Sequence, residues 1–247
     1  MRSAKAVLRR RRIDAALDRL RFALDTFPRS RLLSRLSHRN YQPLPWVGLT
    51  EGSRADGTWT RWRAIEGVLD SLPGLRTAVD IGANAGFFTI NLARRGLASV
   101  AVENDPVAGR TSLYAMRRTG LASTAALLTL EVGPATAELV PAADVVLFLS
   151  VWHHLVRGYG LEQATELLRS IWARTHRVLF FDTGEREMPP SFGLPAMEPD
   201  ADTWLRGYLA ETCAGGEVRH LGAHAAFDAA GASVERNLYA VVRPQPA

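Results

Sequence analysis

The chain has 247 residues, 47% of them hydrophobic and 22% charged, which suits one large α/β core or one core with an appendage. Apolar runs such as Val145–Leu149 fall far short of the roughly 20 residues of a membrane span, and Cys213, the only cysteine, excludes an internal disulfide and a cysteine-cluster metal site. The N-terminus is charged with no apolar stretch behind it, so we expect no secretory signal and a cytoplasmic protein.

The net charge of +5 is unevenly distributed. Residues 1–39 hold 12 Lys and Arg against 3 Asp and Glu, a net charge of +9, so the remainder carries −4. Helical spacing over residues 4–26 predicts a basic helical arm. Its run Arg9–Arg12 favours contact with phosphates, in a nucleic acid such as RNA or on an anionic membrane. The alternative is a solvated helix that packs its apolar face on the rest of the chain.

Residues 40–57 include two prolines and three glycines and are predicted to be a linker. The predicted organisation is therefore a basic helical arm and linker over residues 1–57 and a catalytic domain over residues 58–247. A helix that carries Trp62, Ile65 and Leu69 opens the second part and is stopped by Pro73 and Gly74.

Strands and helices then alternate along the chain, which predicts a mainly parallel, doubly wound α/β sheet covered on both faces. Two final strands without an intervening helix predict an antiparallel ending. Ligands bind such sheets beyond the carboxyl ends of the strands. The predicted strands are Ala78–Ile81, Ser99–Val102, Leu127–Val132, Val145–Val151, Arg177–Asp182, Glu217–Leu221 and Asn237–Val242, and the predicted helices are Phe87–Arg95, residues 106–118, Leu161–Ala173 and Thr203–Thr212.

The most informative segment is the loop Gly82–Gly86, which follows a strand that ends in Asp80. Its G-x-x-x-G spacing differs from the G-x-G-x-x-G of dinucleotide enzymes, which need a further glycine to seat a pyrophosphate. S-adenosylmethionine has no phosphate and offers a cation, an amino-acid group and a ribose. Asp80 is predicted to hold the loop through backbone N–H groups and to meet a ligand ammonium. The alternative is an ordinary strand-to-helix turn with an incidental carboxylate.

A second carboxylate, Glu103, closes the next strand 23 positions after Asp80. That separation matches one helix and one strand, and a carboxylate at this place is able to accept hydrogen bonds from both ribose hydroxyls. Asn104 is expected to flank the adenine edge. Asp105 is explained as a helix N-cap followed by Pro106 at the first helical position.

Residues 80–88 together with Glu103 resemble motifs I and II of the class I S-adenosylmethionine-dependent methyltransferases, and the resemblance covers most of residues 60–243. It implies a Rossmann-like, seven-stranded sheet with an antiparallel last strand and S-adenosyl-L-methionine as cofactor. The spelling of residues 80–86 is similar to the FkbM branch of O-methyltransferases, which the later motifs do not follow. The cofactor-binding residues that the resemblance implies are Asp80, Gly82, Ala83, Asn84, Gly86, Glu103, Asn104 and Ser150.

Residues 145–155 correspond to motif IV and the segment after it. Ser150 is expected beside the methionine part of the cofactor, and Trp152 in the wall of the methyl pocket. A histidine has a pKa that suits a general base for a hydroxyl acceptor, and His154 is preferred over His153 for this role. The alternative is that both histidines cap the helix or pack against the strand.

Two further regions are expected to border the site. The loop from Asp182 to Glu185 is predicted to lie at the acceptor pocket, either as solvated acids or as a source of the base. The resemblance implies that the region before the first strand covers the cofactor, with Arg61 or Arg63 reaching its carboxylate. No residue set has metal-ligand spacing.

The sequence therefore predicts methyl transfer from S-adenosylmethionine to an oxygen on a small molecule, sugar or natural-product scaffold. Three alternatives stay open: an RNA methyltransferase that uses the basic arm, a cofactor-binding protein without catalysis, and a nicotinamide-dependent oxidoreductase, against which the loop spacing argues. The acceptor and the oligomeric state are not specified by the sequence.

Overall fold

A computed structural model describes residues 42–47, 55–228 and 231–244. The predicted basic arm, residues 1–39, lies outside the described residues, as does half of the predicted linker, residues 40, 41 and 48–54. Within the described ranges no helix is long and apolar enough to cross a membrane. The helices are α1 (Ala55–Asp70), α2 (Phe87–Arg94), α3 (Pro106–Arg118), α4 (Trp152–Tyr159), α5 (Leu161–Ala173) and α6 (Ala201–Thr212), and the strands are β1 (Thr77–Ile81), β2 (Ala98–Glu103), β3 (Ala125–Thr129), β4 (Ala143–Leu149), β5 (Thr175–Asp182), β6 (Glu217–Phe227) and β7 (Ser233–Val242).

The seven strands form one sheet in the order β3-β2-β1-β4-β5-β7-β6. Strands β1 to β5 are parallel, and β7 pairs antiparallel with both β5 and β6. The predicted α/β fold class and the antiparallel ending are thus confirmed. Because the strand order reverses at β1, which lies between β2 and β4, the carboxyl ends of these strands open a crevice at that point.

The central strands are buried on both faces, which explains their continuous apolar sequence. Alternate residues of β4 point to opposite faces of the sheet. Val145 and Leu147 pack in the layer that includes Trp62 and Ile65 of α1. Val146 and Phe148 pack in the other layer, with residues of α4, α5 and α6.

Local capping sets one helix boundary as predicted. The Asp105 carboxylate accepts hydrogen bonds from the backbone N–H groups of Val107 (2.8 Å) and Ala108 (2.7 Å), and Pro106 occupies the first helical position. Several strand boundaries differ from the predictions: β4 spans Ala143–Leu149 instead of residues 145–151, and β7 begins at Ser233, before the predicted Asn237. Strand β3 ends at Thr129, and β6 continues to Phe227 through a register shift between His220 and Ala223, because the hairpin partner β7 supplies pairing beyond the predicted end.

Residues 42–46 do not behave as a linker. Leu44 is buried in the layer that α1 and α2 share, and the ring of Trp46 lies 5.7 Å from that of Phe87. Helix α1 starts at Ala55, inside the predicted linker. Gly57 allows the start of α1 to pack closely against β6. A Cβ at residue 57 would lie only 1.9 Å from the Ala225 carbonyl oxygen. The division at residues 57 and 58 stays a prediction.

Cys213 follows α6 and is fully buried in the apolar layer on the α5 and α6 face of the sheet. Its backbone N–H donates to the Leu209 carbonyl oxygen at 2.8 Å, which continues the helical hydrogen bonding. Burial raises the pKa of the Cys213 thiol to about 12. The thiol is therefore protonated across the physiological pH range.

Candidate functional site

A cavity of about 470 Å³ lies beyond the carboxyl ends of β1, β2, β3 and β4. Seven of the predicted site residues line it: Asp80, Gly82, Asn84, Glu103, Asn104, Ser150 and His154. Three others, Ala83, Gly86 and His153, are not in its wall. Ala83 is fully buried, and Gly86 is the N-cap of α2, with φ +85°. These two residues shape the loop without facing the cavity.

Glu103 ties the glycine loop to the start of α3. Its two carboxylate oxygens accept the backbone N–H groups of Asn84 (2.7 Å) and Asp105 (2.8 Å). The N–H groups of Gly82 and Ala83 donate to the Val102 carbonyl oxygen. The expectation that Asp80 holds the loop through its N–H groups is therefore wrong, because β2 performs that role. Glu103 still borders the cavity.

Gly82 is placed by contacts within the protein. Its φ is +71°, in the left-handed region that favours glycine. A Cβ at this position would lie 2.5 Å from Cγ2 of Val151, the residue between β4 and α4. Both Gly82 and Val151 line the cavity. The glycine thus allows the loop to approach the end of β4. The side chain of Val151 occupies the space that a side chain at position 82 would need.

Asp80 is buried at the end of β1. Its Oδ2 accepts the backbone N–H (3.1 Å) and the hydroxyl (2.7 Å) of Thr89 in α2. Burial, with a smaller contribution from the charge of Glu103, raises the pKa of Asp80 to about 6 in spite of the Thr89 hydrogen bonds. Asp80 is thus a carboxylate at neutral pH whose charge is poorly solvated, which favours a cationic ligand.

A buried ion pair joins α1 to the end of β5. Nη1 of Arg61 donates to Oδ2 of Asp182 at 2.6 Å. Oδ1 of Asp182 accepts the backbone N–H (2.6 Å) and the hydroxyl (2.8 Å) of Ser150, which has φ +56°. Burial alone would raise the pKa of Asp182, but Arg61 and Ser150 together hold it below its usual value. Asp182 therefore orders the end of β4 and is not available as a base.

The first turn of α2 is contacted by three polar side chains that all line the cavity. Gln42 accepts the Phe87 N–H through Oε1 at 3.2 Å, Arg61 lies 5.6 Å from the centre of the Phe88 ring, and Asp80 binds Thr89. One end of the cavity therefore presents an amide, a cation and a carboxylate. Of the two predicted arginines, Arg61 lies here and Arg63 is exposed elsewhere. Gln42 was missed because it falls in the predicted linker.

The other end of the cavity is more apolar. It is bordered by Leu130, Glu131 and Val132, which follow β3, and by Leu155 and Tyr159 of α4. The Tyr159 ring lies against Gly133, where a Cβ would be 2.7 Å from the tyrosine hydroxyl. Apolar and aromatic walls suit a flat ring system. Residues 130–132 were predicted to belong to a strand and were therefore not assigned to the site.

The two adjacent histidines have different environments. His153 is buried, and its Nδ1 accepts the Gly184 N–H at 2.8 Å and lies 3.2 Å from the Thr183 hydroxyl. His154 is exposed and lines the cavity. His153 thus has the packing role that was the alternative for both residues. Of the two, only His154 borders the cavity.

Trp152 does not wall the cavity. It is fully buried on the far side of α4, where its indole N–H donates to the Tyr208 hydroxyl at 2.9 Å. Its ring also packs against Trp204 of α6, at a centroid distance of 6.3 Å. The expectation that Trp152 borders the methyl pocket is wrong, because the helical turn directs it between α4 and α6 while His154 faces the opening.

Glu185 is not a solvated loop acid. Its carboxylate accepts the backbone N–H of Asn237 (2.6 Å) and both its oxygens accept the Asn237 side-chain amide, and burial raises the pKa of Glu185. Glu187 beside it pairs with Arg236 at 2.7 Å. The loop after β5 is thus fixed to β7. In the part of the chain that the structure describes, no three His, Cys, Asp or Glu side chains are grouped to hold a metal ion.

No family model matches the chain. Over 76 residues it is 37% identical to an uncharacterized methyltransferase of Mycobacterium sp. strain JLS and 35% identical to one of strain KMS. Each match covers 31% of this chain and 29% of the relative. The likeness in sequence thus spans less than a third of either protein.

Solved structures resemble a larger part of the chain. A structure of WbdD, a bifunctional kinase-methyltransferase, aligns with a TM-score of 0.65 at 20% identity and covers 83% of this chain and 44% of WbdD. The magnesium protoporphyrin IX methyltransferase of Synechocystis PCC 6803, with bound SAM, aligns with a TM-score of 0.54 at 18% identity. That alignment covers 76% of this chain and 79% of the neighbour. These likenesses establish the fold.

Proposed function

We propose that this chain, which has the Rossmann-like fold of the class I methyltransferases, transfers a methyl group from S-adenosyl-L-methionine to an oxygen atom of a small-molecule, sugar or natural-product acceptor. The observation that carries the proposal is the charge pattern of the cavity wall. Its volume of about 470 Å³ lies within the usual range of roughly 300–1,000 Å³ for ligand sites.

The end of the cavity beside α2 fits a zwitterionic amino-acid group. Such a group needs an anion for its ammonium and a cation for its carboxylate, and charged hydrogen bonds of this kind are the strong ones. Asp80 supplies the anion and Arg61 the cation, and both lie in the wall. A dinucleotide would place a pyrophosphate at the glycine loop, where Glu103 holds the Asn84 N–H instead.

The middle and the other end of the cavity fit a nucleoside. Glu103 lies between the amino-acid end and the apolar end, where its carboxylate would accept hydrogen bonds from the two hydroxyls of a ribose. The walls formed by Leu130, Val132 and Tyr159 suit adenine, with Asn104 at its edge. Along the cavity, the wall therefore offers in turn charged partners for the amino-acid group, a carboxylate for the ribose and apolar side chains for the adenine of the cofactor.

The protein residues contribute mainly by positioning. The bound cofactor supplies a methyl group on a sulfonium, which is already activated for in-line displacement. Asp182 and Ser150 fix the end of β4, and His154 borders the opening. His154 would accept the proton of an acceptor hydroxyl placed at this opening. Alignment of the two reactants accounts for much of the rate enhancement.

Replacing Glu103 with Ala should weaken binding of S-adenosylhomocysteine about 10- to 100-fold, since hydrogen bonds to a charged group are worth roughly 1.5–3 kcal/mol. Isothermal titration calorimetry measures the effect. Asp144→Ala is a matched control, because Asp144 also accepts two backbone N–H groups, those of Arg76 and Thr77, but lies at the opposite end of the sheet. The control should lose stability and keep its affinity. Unchanged affinity in a folded Glu103→Ala protein would remove Glu103 from the site.

Affinity for S-adenosylhomocysteine should fall about tenfold per pH unit below pH 6, because protonation of Asp80, whose pKa is about 6, removes the charge that binds the ligand ammonium. Asp80→Asn should bind weakly and without this pH dependence.

The raised pKa also means that the stabilising contribution of Asp80 is lost as pH rises through about 6. The ligand-free Asp80→Asn protein should therefore be the more stable one at pH 7. Wild-type affinity in this variant would exclude the ammonium contact.

The acceptor class is tested by transfer of a labelled methyl group from S-adenosylmethionine to a collection of hydroxylated small molecules, sugars and RNA. We expect incorporation into a small molecule. Incorporation into RNA that is lost on deletion of residues 1–39 would support the RNA alternative instead. Cofactor binding without transfer to any acceptor would favour a binding protein.

A further inference from the structure

The exposed side of α4 carries a cation beside the opening of the cavity. Arg157 lies one helical turn after His154, and its guanidinium lies over the Phe192 ring. His154 and Gly158, on either side of it in the sequence, line the cavity. We infer that Arg157 binds an acidic group of the acceptor, a carboxylate or a phosphate, and so selects acceptors that carry both a hydroxyl and an acidic group. This inference rests on the proposed function and specifies its acceptor class.

Phe192 brings the two side chains of α4 onto one surface. It belongs to the loop between β5 and α6 and is itself buried. The centre of its ring lies 5.8 Å from the centre of the His154 ring and 4.9 Å from the guanidinium carbon of Arg157. A guanidinium is attracted by the face of an aromatic ring, and its N–H groups point outward in the guanidinium plane, where an anion is able to approach them. The imidazole and the guanidinium therefore share one exposed surface at the rim of the cavity.

Among the described residues, no acidic side chain is paired with this guanidinium. Helix α4 contains no Asp or Glu, and Arg157 forms no ion pair within the described ranges. The acidic residues of the loop that carries Phe192 are engaged by other partners: Glu185 by Asn237, Glu187 by Arg236, Glu198 by Arg186 and Asp200 by Thr203. The positive charge of Arg157 is therefore available to an anion that enters from solvent.

The spacing of the two side chains limits the size of the acceptor. Residues three apart on a helix have Cβ atoms about 5–6 Å apart. A hydroxyl at His154 and an acidic group at Arg157 are therefore separated by about one aromatic or sugar ring. Arginine binds a carboxylate or a phosphate through two parallel N–H···O hydrogen bonds, which a neutral acceptor does not form. Arg157 thus favours a ring compound that bears a hydroxyl and an acidic group.

The test compares matched acceptors with and without an acidic group, offered to the full-length chain with labelled S-adenosylmethionine. The carboxylate pair is para-hydroxybenzoate and para-hydroxybenzamide, and the phosphate pair is inositol monophosphate and inositol. We expect kcat/KM of the wild-type protein to be about tenfold higher for the acidic member of at least one pair, the lower end of what hydrogen bonds to a charged group contribute. The pair that responds identifies the anion.

Arg157→Gln should raise KM for the acidic acceptor about tenfold and leave kcat unchanged, because it removes a contact that binds the acceptor without acting on the reacting atoms. Transfer to the neutral acceptor and affinity for S-adenosylhomocysteine should stay at wild-type values. Arg157→Lys keeps the charge without the fork of N–H groups and should recover part of the loss. Arg118→Gln is the matched control, since it removes an exposed positive charge at the far end of α3 and should leave every KM unchanged.

Several results would overturn the inference while the proposed function stands. These are equal kcat/KM for both members of each pair in the wild-type protein, transfer to none of the four probes, and a wild-type KM for the acidic acceptor in folded Arg157→Gln. An equal loss for acidic and neutral acceptors in that variant would also overturn it, because the role of Arg157 would then be structural. Wild-type protein that does not bind S-adenosylhomocysteine would instead refute the proposed function, and the inference with it.

Discussion

Replacing His154 with Ala is expected to lower the rate of methyl transfer about 10²- to 10⁴-fold, the usual contribution of a positioned acid–base group. His154 is exposed at the opening of the cavity, where a hydroxyl acceptor would approach. Initial rates at saturating cofactor measure the loss. Affinity for S-adenosylhomocysteine should change little, since the residues proposed to bind it are Asp80, Arg61 and Glu103.

His153→Ala is the matched control for this prediction. His153 is buried and accepts the Gly184 N–H, so its loss should lower the melting temperature. A folded His154→Ala protein with a wild-type rate would exclude His154 as the base. The loop after β5 does not offer a substitute, because Asp182 is paired with Arg61 and Glu185 is bound by Asn237. Catalysis by positioning alone would then be the remaining mechanism.

Gly82→Val is expected to remove detectable binding of S-adenosylhomocysteine. The left-handed φ of +71° is strained for a branched residue, and even the Cβ would lie 2.5 Å from Val151. Relief of this contact requires the loop or Val151 to move, and both border the cavity. Calorimetry at high protein concentration, with circular dichroism to confirm folding, measures the result.

Two comparisons separate strain from contact in this experiment. Gly96 has φ +89° and open space around its Cβ position, so Gly96→Ala carries strain without a clash and should bind normally. Val151→Ala removes the atom that Gly82→Ala would meet, so the double variant should bind better than Gly82→Ala alone. Tight binding by Gly82→Val itself would show that the loop does not shape the site.

Much of the fold was predictable because its causes are local. The central strands are buried on both faces, so they form continuous apolar runs, and Asp105 with Pro106 starts α3 through its own side chain. Asp80 and Glu103 end neighbouring strands, and parallel pairing places them at one edge. Sequence spacing therefore predicted the carboxylates of the cavity without a structure.

The residues that escaped prediction depend on contacts distant in sequence. Gln42 acts through Phe87, 45 residues away, from a segment whose prolines and glycines predict a linker. Glu185 is bound by Asn237, 52 residues away, on a strand predicted to be shorter. Gly57 was predicted to belong to the linker because it is a glycine in a stretch rich in glycine and proline. It lies instead where α1 contacts β6, and its role is evident only from the closeness of Ala225. The sequence around each of these residues does not indicate its distant partner.

Because the Cys213 thiol is buried, its reaction with an alkylating reagent reports local unfolding of the protein around it. A protonated thiol with no access to solvent does not react with alkylating reagents, and only the thiolate is nucleophilic. Modification therefore requires the α6 region to detach from the sheet. The rate of alkylation counts those openings, and its decrease with added ligand would give a binding constant without any label. A second cysteine introduced on the surface would be modified selectively in the folded protein.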